Sequence, residues 1–110
     1  MSAFFDSEII KDALEDINKL QEDVYGKLVH FHLMNHDEQV DHVSKLTELL
    51  DKQRIMYTRL SLSDDPEAVV MKESLNKTVT MMGYPEGTDI AVLFKNMHAT
   101  IDALKEFLEA

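Results

Sequence analysis

A chain of 110 residues that is 45% hydrophobic and 29% charged has the length and apolar content of one folded domain. It contains no cysteine, which excludes a disulfide framework, a thiol nucleophile and cysteine-ligated metal sites. Its 21 Asp and Glu against 11 Lys and Arg leave a formal charge of -10, and that balance argues against direct nucleic-acid binding, which needs a basic footprint.

Only three glycines and two prolines interrupt the sequence, so long periodic segments remain, and they read as four helices. The first is expected over about 7–33, with Asp6 or Ser7 accepting from an unpaired first-turn amide. Ile10, Ala13, Ile17, Leu20, Val24 and Phe31 recur at helical spacing, and Leu14 and Leu28 widen the stripe. Gly26 interrupts it, at a cost of about 1 kcal/mol relative to alanine; it marks either close helix packing or a weak point. The turn falls at Met34-Asn35-His36, where Asn35 and Glu38 have capping-box spacing.

The second helix is expected over about 36–60. Val43, Leu46, Leu50, Tyr57 and Leu60 form its stripe, reinforced by Leu49 and Met56. Two helices of this length joined by a short turn should lie antiparallel. Ser61 to Asp65 is the clearest break, and Asp65 before Pro66 places a cap ahead of proline at the first helical position. The third helix, about 66–82, carries Ala68, Met71, Leu75, Val79 and Met82 and ends at Gly83. After Tyr84-Pro85-Glu86-Gly87, Thr88 can cap a fourth helix over about 89–108. Its stripe is Ile90, Phe94, Met97, Ile101, Leu104 and Leu108. Nothing alternates with period two over a useful length. The expectation is a single all-α domain over 1–110: a long antiparallel helical hairpin followed by two shorter helices, bundle-like.

No stretch approaches the twenty or so apolar residues that a membrane-spanning helix needs. The start, Met1 to Asp6, has neither a basic region nor a long apolar core of a secretory signal. A cytoplasmic protein without membrane contact is expected.

The most suggestive cluster for chemistry is His30, His32, His36, Asp37, Glu38, Asp41 and His42. Imidazole and carboxylate together can hold zinc or nickel, and His32, His36, Glu38 and His42 are the candidate ligands. The cluster straddles a turn, however, and the Glu-x-x-His signature of di-iron bundles is absent from the sequence; a solvated turn is the plainer reading. Adjacent acids such as Glu15-Asp16 and Glu22-Asp23 read as solvated faces. His98, at the edge of the fourth stripe, has no serine or acid at a diagnostic spacing. A phosphate-cradling glycine loop and a nucleophile elbow are both missing. No enzymatic activity and no cofactor are expected.

Recognition features fare better. The seven methionines suit adaptable surfaces, although at helical spacing they more often pack inside. Phe4 and Phe5 precede the first cap; one can staple onto the first turn, and the other should dock on another helix or another subunit. Both arginines, Arg54 and Arg59, fall with Lys52 and Tyr57 near the end of the second helix. They complement the negative end of its dipole, or they anchor a partner, since arginine and tyrosine dominate interface hot spots.

The blocks Phe4-Phe5-Asp6-Ser7-Glu8-Ile9, Tyr25-Gly26-Lys27, Arg54-Ile55-Met56 running to Leu62-Ser63-Asp64-Asp65, and Phe94-Lys95-Asn96-Met97-His98 cover nearly the whole chain. In that order they resemble a small uncharacterised all-helical family of cyanobacteria and the phages that infect them. The connection from Gly83 to Asp89 looks longer than the family's usual turn, and the histidine-rich hairpin lies outside its pattern. The resemblance implies a helical fold, no assigned enzymatic chemistry, and a similarity to proteins that bind and restrain the endonuclease initiating RNA decay. It nominates Phe4, Phe5, Arg54 and Arg59 for partner binding, with Tyr57 added on chemical grounds.

The expectation is therefore a non-enzymatic acidic regulator or adaptor that binds a host protein with a basic surface. Long amphipathic stripes of unequal length lead to a homodimer, in which a second copy covers what the first leaves open. A structural or assembly component, associated with a photosynthetic complex or a virion, is the alternative. Metal binding by the histidine-rich hairpin is a second alternative.

Overall fold

The computed structural model describes residues 3–110. Its helices are α1 (Glu8–Leu28), α2 (His36–Leu62), α3 (Pro66–Met81) and α4 (Ile90–Glu109), with a 3-10 turn at Phe31–Leu33 between the first two. No strand occurs among the described residues. The class is all-α, as the periodicity requires.

Caps explain most of the boundaries. Asn35 Oδ1 accepts from the Glu38 amide at 2.9 Å and the Asn35 amide donates back to Glu38 Oε1 at 3.5 Å, closing the capping box. Asp65 accepts from the Glu67 amide at 3.0 Å, just ahead of Pro66. Gly83 ends α3 at φ 100°, in the left-handed region that glycine enters without a Cβ penalty. Asp89 rather than Thr88 caps α4, accepting from the Ala91 amide at 3.0 Å. Ser7 occupies the cap position of α1 but its side chain makes no capping bond.

The first helix stops at Leu28, short of the expected residue 33. The His30 amide turns back to the Lys27 carbonyl at 3.0 Å, and Gln39 Nε2 donates to the Phe31 carbonyl at 3.1 Å. A tightened turn thus swings Phe31 onto α2, where its ring meets His42 at 5.5 Å. Gly26 is not a close-packing site, because a Cβ there would meet nothing within 4 Å.

Two ion pairs show the direction of the hairpin. Asp23 pairs with Lys45 at 3.4 Å and Asp16 with Lys52 at 3.9 Å. Moving back along α1 advances along α2 by the same step, so the helices run antiparallel. Tyr57 with Asp89 and Asp51 with His98 show the same reversal between α2 and α4.

Helix α2 is the spine, packing against α1, α3 and α4. It carries two apolar rows rather than one. Leu49 packs with Ile17 and Val24 of α1, joined by Leu46 and Met56. Leu50 and Tyr57 pack with Val79, Ile90 and Phe94, joined by Leu75 and Ile101. Each fully covered aliphatic side chain contributes about 1.5–3 kcal/mol. Because α1 and α4 flank the spine, the molecule is a slab of 46 × 34 × 20 Å. Its radius of gyration, 15.8 Å, exceeds the value of about 13 Å for a compact chain of this length.

Candidate interaction surface

The α1–α2 seam is lined by a row of cations at heptad spacing, Lys45, Lys52 and Arg59. The first two face Asp23 and Asp16. Asp23 also receives Lys27 at 3.0 Å, and the hydrogen bonds from Lys27 and Lys45 hold its carboxyl below the usual range. One step further, Arg59 comes level with position 9, where an acid would continue the ladder. Ile9 stands there instead, 67% exposed. Arg59 forms no ion pair among the described residues. It borders an open groove with Ala13, Asp16, Ile17, Lys52, Ile55 and Met56.

Arg54 points the other way. Five residues along a helix turn about 140°, and Arg54 edges a shallow depression against α4 with Phe94, Lys95 and His98. Its guanidinium lies 4.0 Å from Asp51, which also meets His98 Nε2 at 3.3 Å. His98 Nδ1 meets Asp102 at 3.3 Å. The edge-of-stripe histidine therefore bridges carboxylates of α2 and α4. The arginine patch read from the sequence is split across two sides of the spine.

Tyr57, expected among the partner contacts, is buried. Its hydroxyl donates to Asp89 Oδ1 at 2.7 Å and its ring lies 6.1 Å from Phe94. Burial first, then the hydrogen bond to Asp89, push the phenol up to about 12. Tyr57 is a core residue that ties the spine to the cap of α4, and it cannot reach a partner in this fold. Its place in the apolar stripe outranks its chemistry as an anchor.

Phe4 and Phe5 are half-buried and stack edge-to-face at 5.0 Å. The Phe4 amide donates to Asp65 Oδ2 at 3.0 Å, so one carboxylate caps α3 and holds the N-terminal segment at the α2–α3 junction. This pair docks at the same end of the spine as Arg59.

The hairpin histidines do not converge. His32 and His36 are exposed, Glu38 is engaged in the capping box, and His42 turns inward, 2% exposed. Among the described residues no three His, Asp or Glu side chains gather as a metal would require. Both ring nitrogens of His42 are buried without a hydrogen-bond partner. Burial first, then Lys27, lower its pKa from 6.5. The signal for its burial was in the sequence: His42 stands four, seven and fourteen residues before Leu46, Leu49 and Met56, on the row that faces α1.

Outside the core, large apolar side chains remain uncovered on α3 and α4: Val70, Met71, Met81, Met82, Val92 and Phe107. They stand among exposed acids, Glu67, Glu73, Glu86, Asp102, Glu106 and Glu109. No helix among the described residues is long and apolar enough to cross a membrane.

A family model matches residues 2–108, essentially the whole of the described chain, and its description is a domain of unknown function, DUF1825. The chain belongs to the DUF1825 family. No curated protein and no solved structure matches it. This DUF1825 chain offers a mixed acidic and apolar face on α3 and α4, an apolar groove along α1 and α2 edged by Arg59 and the Lys52–Asp16 pair, and an aromatic pair at the α2–α3 junction.

Proposed function

We propose that this protein is a non-enzymatic adaptor or regulator whose acidic, partly apolar face docks on a basic protein surface. The observation that carries the reading is the acid excess over residues 63–110, nine acids against four bases, interleaved with exposed Val70, Met81, Met82 and Phe107. Acid supplies steering toward a positive surface, and desolvated apolar anchors supply affinity. The resemblance of the sequence blocks to proteins of cyanobacteria and their phages points to the endonuclease that initiates RNA decay as the partner. Its RNA-binding groove is a basic surface that an acidic protein can occupy in competition with nucleic acid. Phe4, Phe5, Arg54 and Arg59 remain the residues offered to the partner; Tyr57 serves from the core. The thin slab and its open apolar faces also support a homodimer in the host cytosol.

Titration of the purified chain into the purified cyanobacterial endonuclease, with fluorescently labelled RNA bound, tests the reading. RNA should be displaced, and displacement should weaken as ionic strength rises. RNA that stays bound at saturating protein overturns the endonuclease assignment. Displacement by a variant carrying alanine at positions 4, 5, 54 and 59, equal to that of the natural chain, overturns the site.

A further inference from the structure

The groove between α1 and α2 has the makings of a receptor. Its floor is apolar, from Ala13, Ile17, Ile55 and Met56, and its rim carries Arg59 and the ion pair of Lys52 with Asp16. Ile55, 46% exposed, opens that floor to solvent. The ion-pair ladder along the seam ends at Lys52 and Asp16, so Arg59 stands in the groove as a cation that no carboxylate pairs among the described residues. Such a site takes an apolar side chain flanked by acids.

The same chain carries that ligand. Phe107 is 77% exposed, and the last turn of α4 holds Glu106 and Glu109 on either side of it with no base. Phe107 does not reach the groove of its own chain. Asp51 is level with His98, and α4 then runs back along α2, so Phe107 lies about 20 Å from the groove along the helix axis at 1.5 Å per residue.

We propose that the groove receives the last turn of α4 from a second copy, with Phe107 on Ile17, Ile55 and Met56 and with Glu106 accepting from Arg59. Groove and ligand lie toward opposite ends of the spine, so a two-fold axis lets each copy fill the other's groove and closes the assembly as a dimer. Charge complementarity selects this occupant: in a chain of net charge -10, self-association has to bring cations to the contact. The inference rests on the homodimer reading above and names its surfaces, and it makes the second copy compete with the host partner for Arg59 and Phe107.

Light scattering coupled to gel filtration tests it, with helicity followed by circular dichroism. The natural chain should run at twice its 12.6 kDa mass. Phe107→Ala and Arg59→Glu should each weaken association by roughly tenfold or more while keeping full helicity. Combining Arg59→Glu with Glu106→Arg should restore the dimer. A natural chain that stays at 12.6 kDa at concentrations on the order of 100 μM overturns both the dimer reading and this contact. A dimer indifferent to Phe107→Ala and Arg59→Glu, or a reversed-charge combination that stays monomeric, overturns the contact and leaves the dimer standing.

Discussion

Replacing His42 with leucine is expected to stabilise the protein, and increasingly so in acid. The imidazole is 2% exposed and neither nitrogen has a partner. A buried polar group left unsatisfied costs about 1–3 kcal/mol. Leucine is similar in volume, keeps an apolar contact with Phe31 and removes both orphaned nitrogens. A gain of about 1–2 kcal/mol follows near neutral pH, or roughly 4 °C in Tm per kcal/mol for a chain of this size.

The pH dependence has a definite sign. Burial and the cations Lys27 and Lys45 lower the folded-state pKa of His42 below 6.5, against the opposing pull of Asp23 and Asp41. Below that value the unfolded chain binds a proton that the folded chain refuses. Stability therefore falls as pH drops from 6.5 toward the folded value, by at most about 1.4 kcal/mol per pH unit, and is unaffected above it. The leucine variant lacks this loss, while the remaining histidines titrate in both proteins and cancel in the difference. Urea unfolding followed by circular dichroism at about pH 7.5, 6.5 and 5.5 should show the gap between the two proteins widening with acid. A constant gap, or a variant less stable at about pH 7.5, would refute the reasoning.

Two further outcomes follow from single positions. Gly26→Ala should raise stability by about 0.5–1 kcal/mol in thermal unfolding, because the added methyl meets nothing within 4 Å; a loss would mean a contact on that face. Tyr57→Phe removes the 2.7 Å bond to Asp89 and should cost about 1–2 kcal/mol. With the phenol pushed up from 10.0 to about 12, the natural protein should also lose stability between those pH values, since only the unfolded chain ionises there. Equal alkaline slopes for the two proteins would contradict the buried hydrogen bond.

Local signals carried much of the architecture. Asn35 with Glu38, Asp65 before Pro66, and Gly83 act through bonds spanning a few residues, so their identities alone place helix ends. The stripes of α1 and α2 are legible for the same reason. The placement of the residues proposed for partner binding was less so. Sequence proximity grouped Arg54, Tyr57 and Arg59, but one helix fans them out: Arg54 toward α4, Tyr57 into the core and Arg59 toward α1. Phe4 and Phe5 were recognisable as docking aromatics, whereas their tether, the Asp65 carboxylate, is 61 positions away from Phe4.

The sequence by itself determined the all-α class, the four helices, the caps of α2 and α3 and the acidity of the second half, because periodicity, capping and charge are properties of neighbours along the chain. Only the tertiary structure decided that α2 has two working faces, that Arg59 goes unpaired among the described residues, and which apolar stripes stay open. Those outcomes depend on which helix lies across from which. Register across a packed seam is set by the fit of whole faces, and a count of spacings within one helix does not contain it.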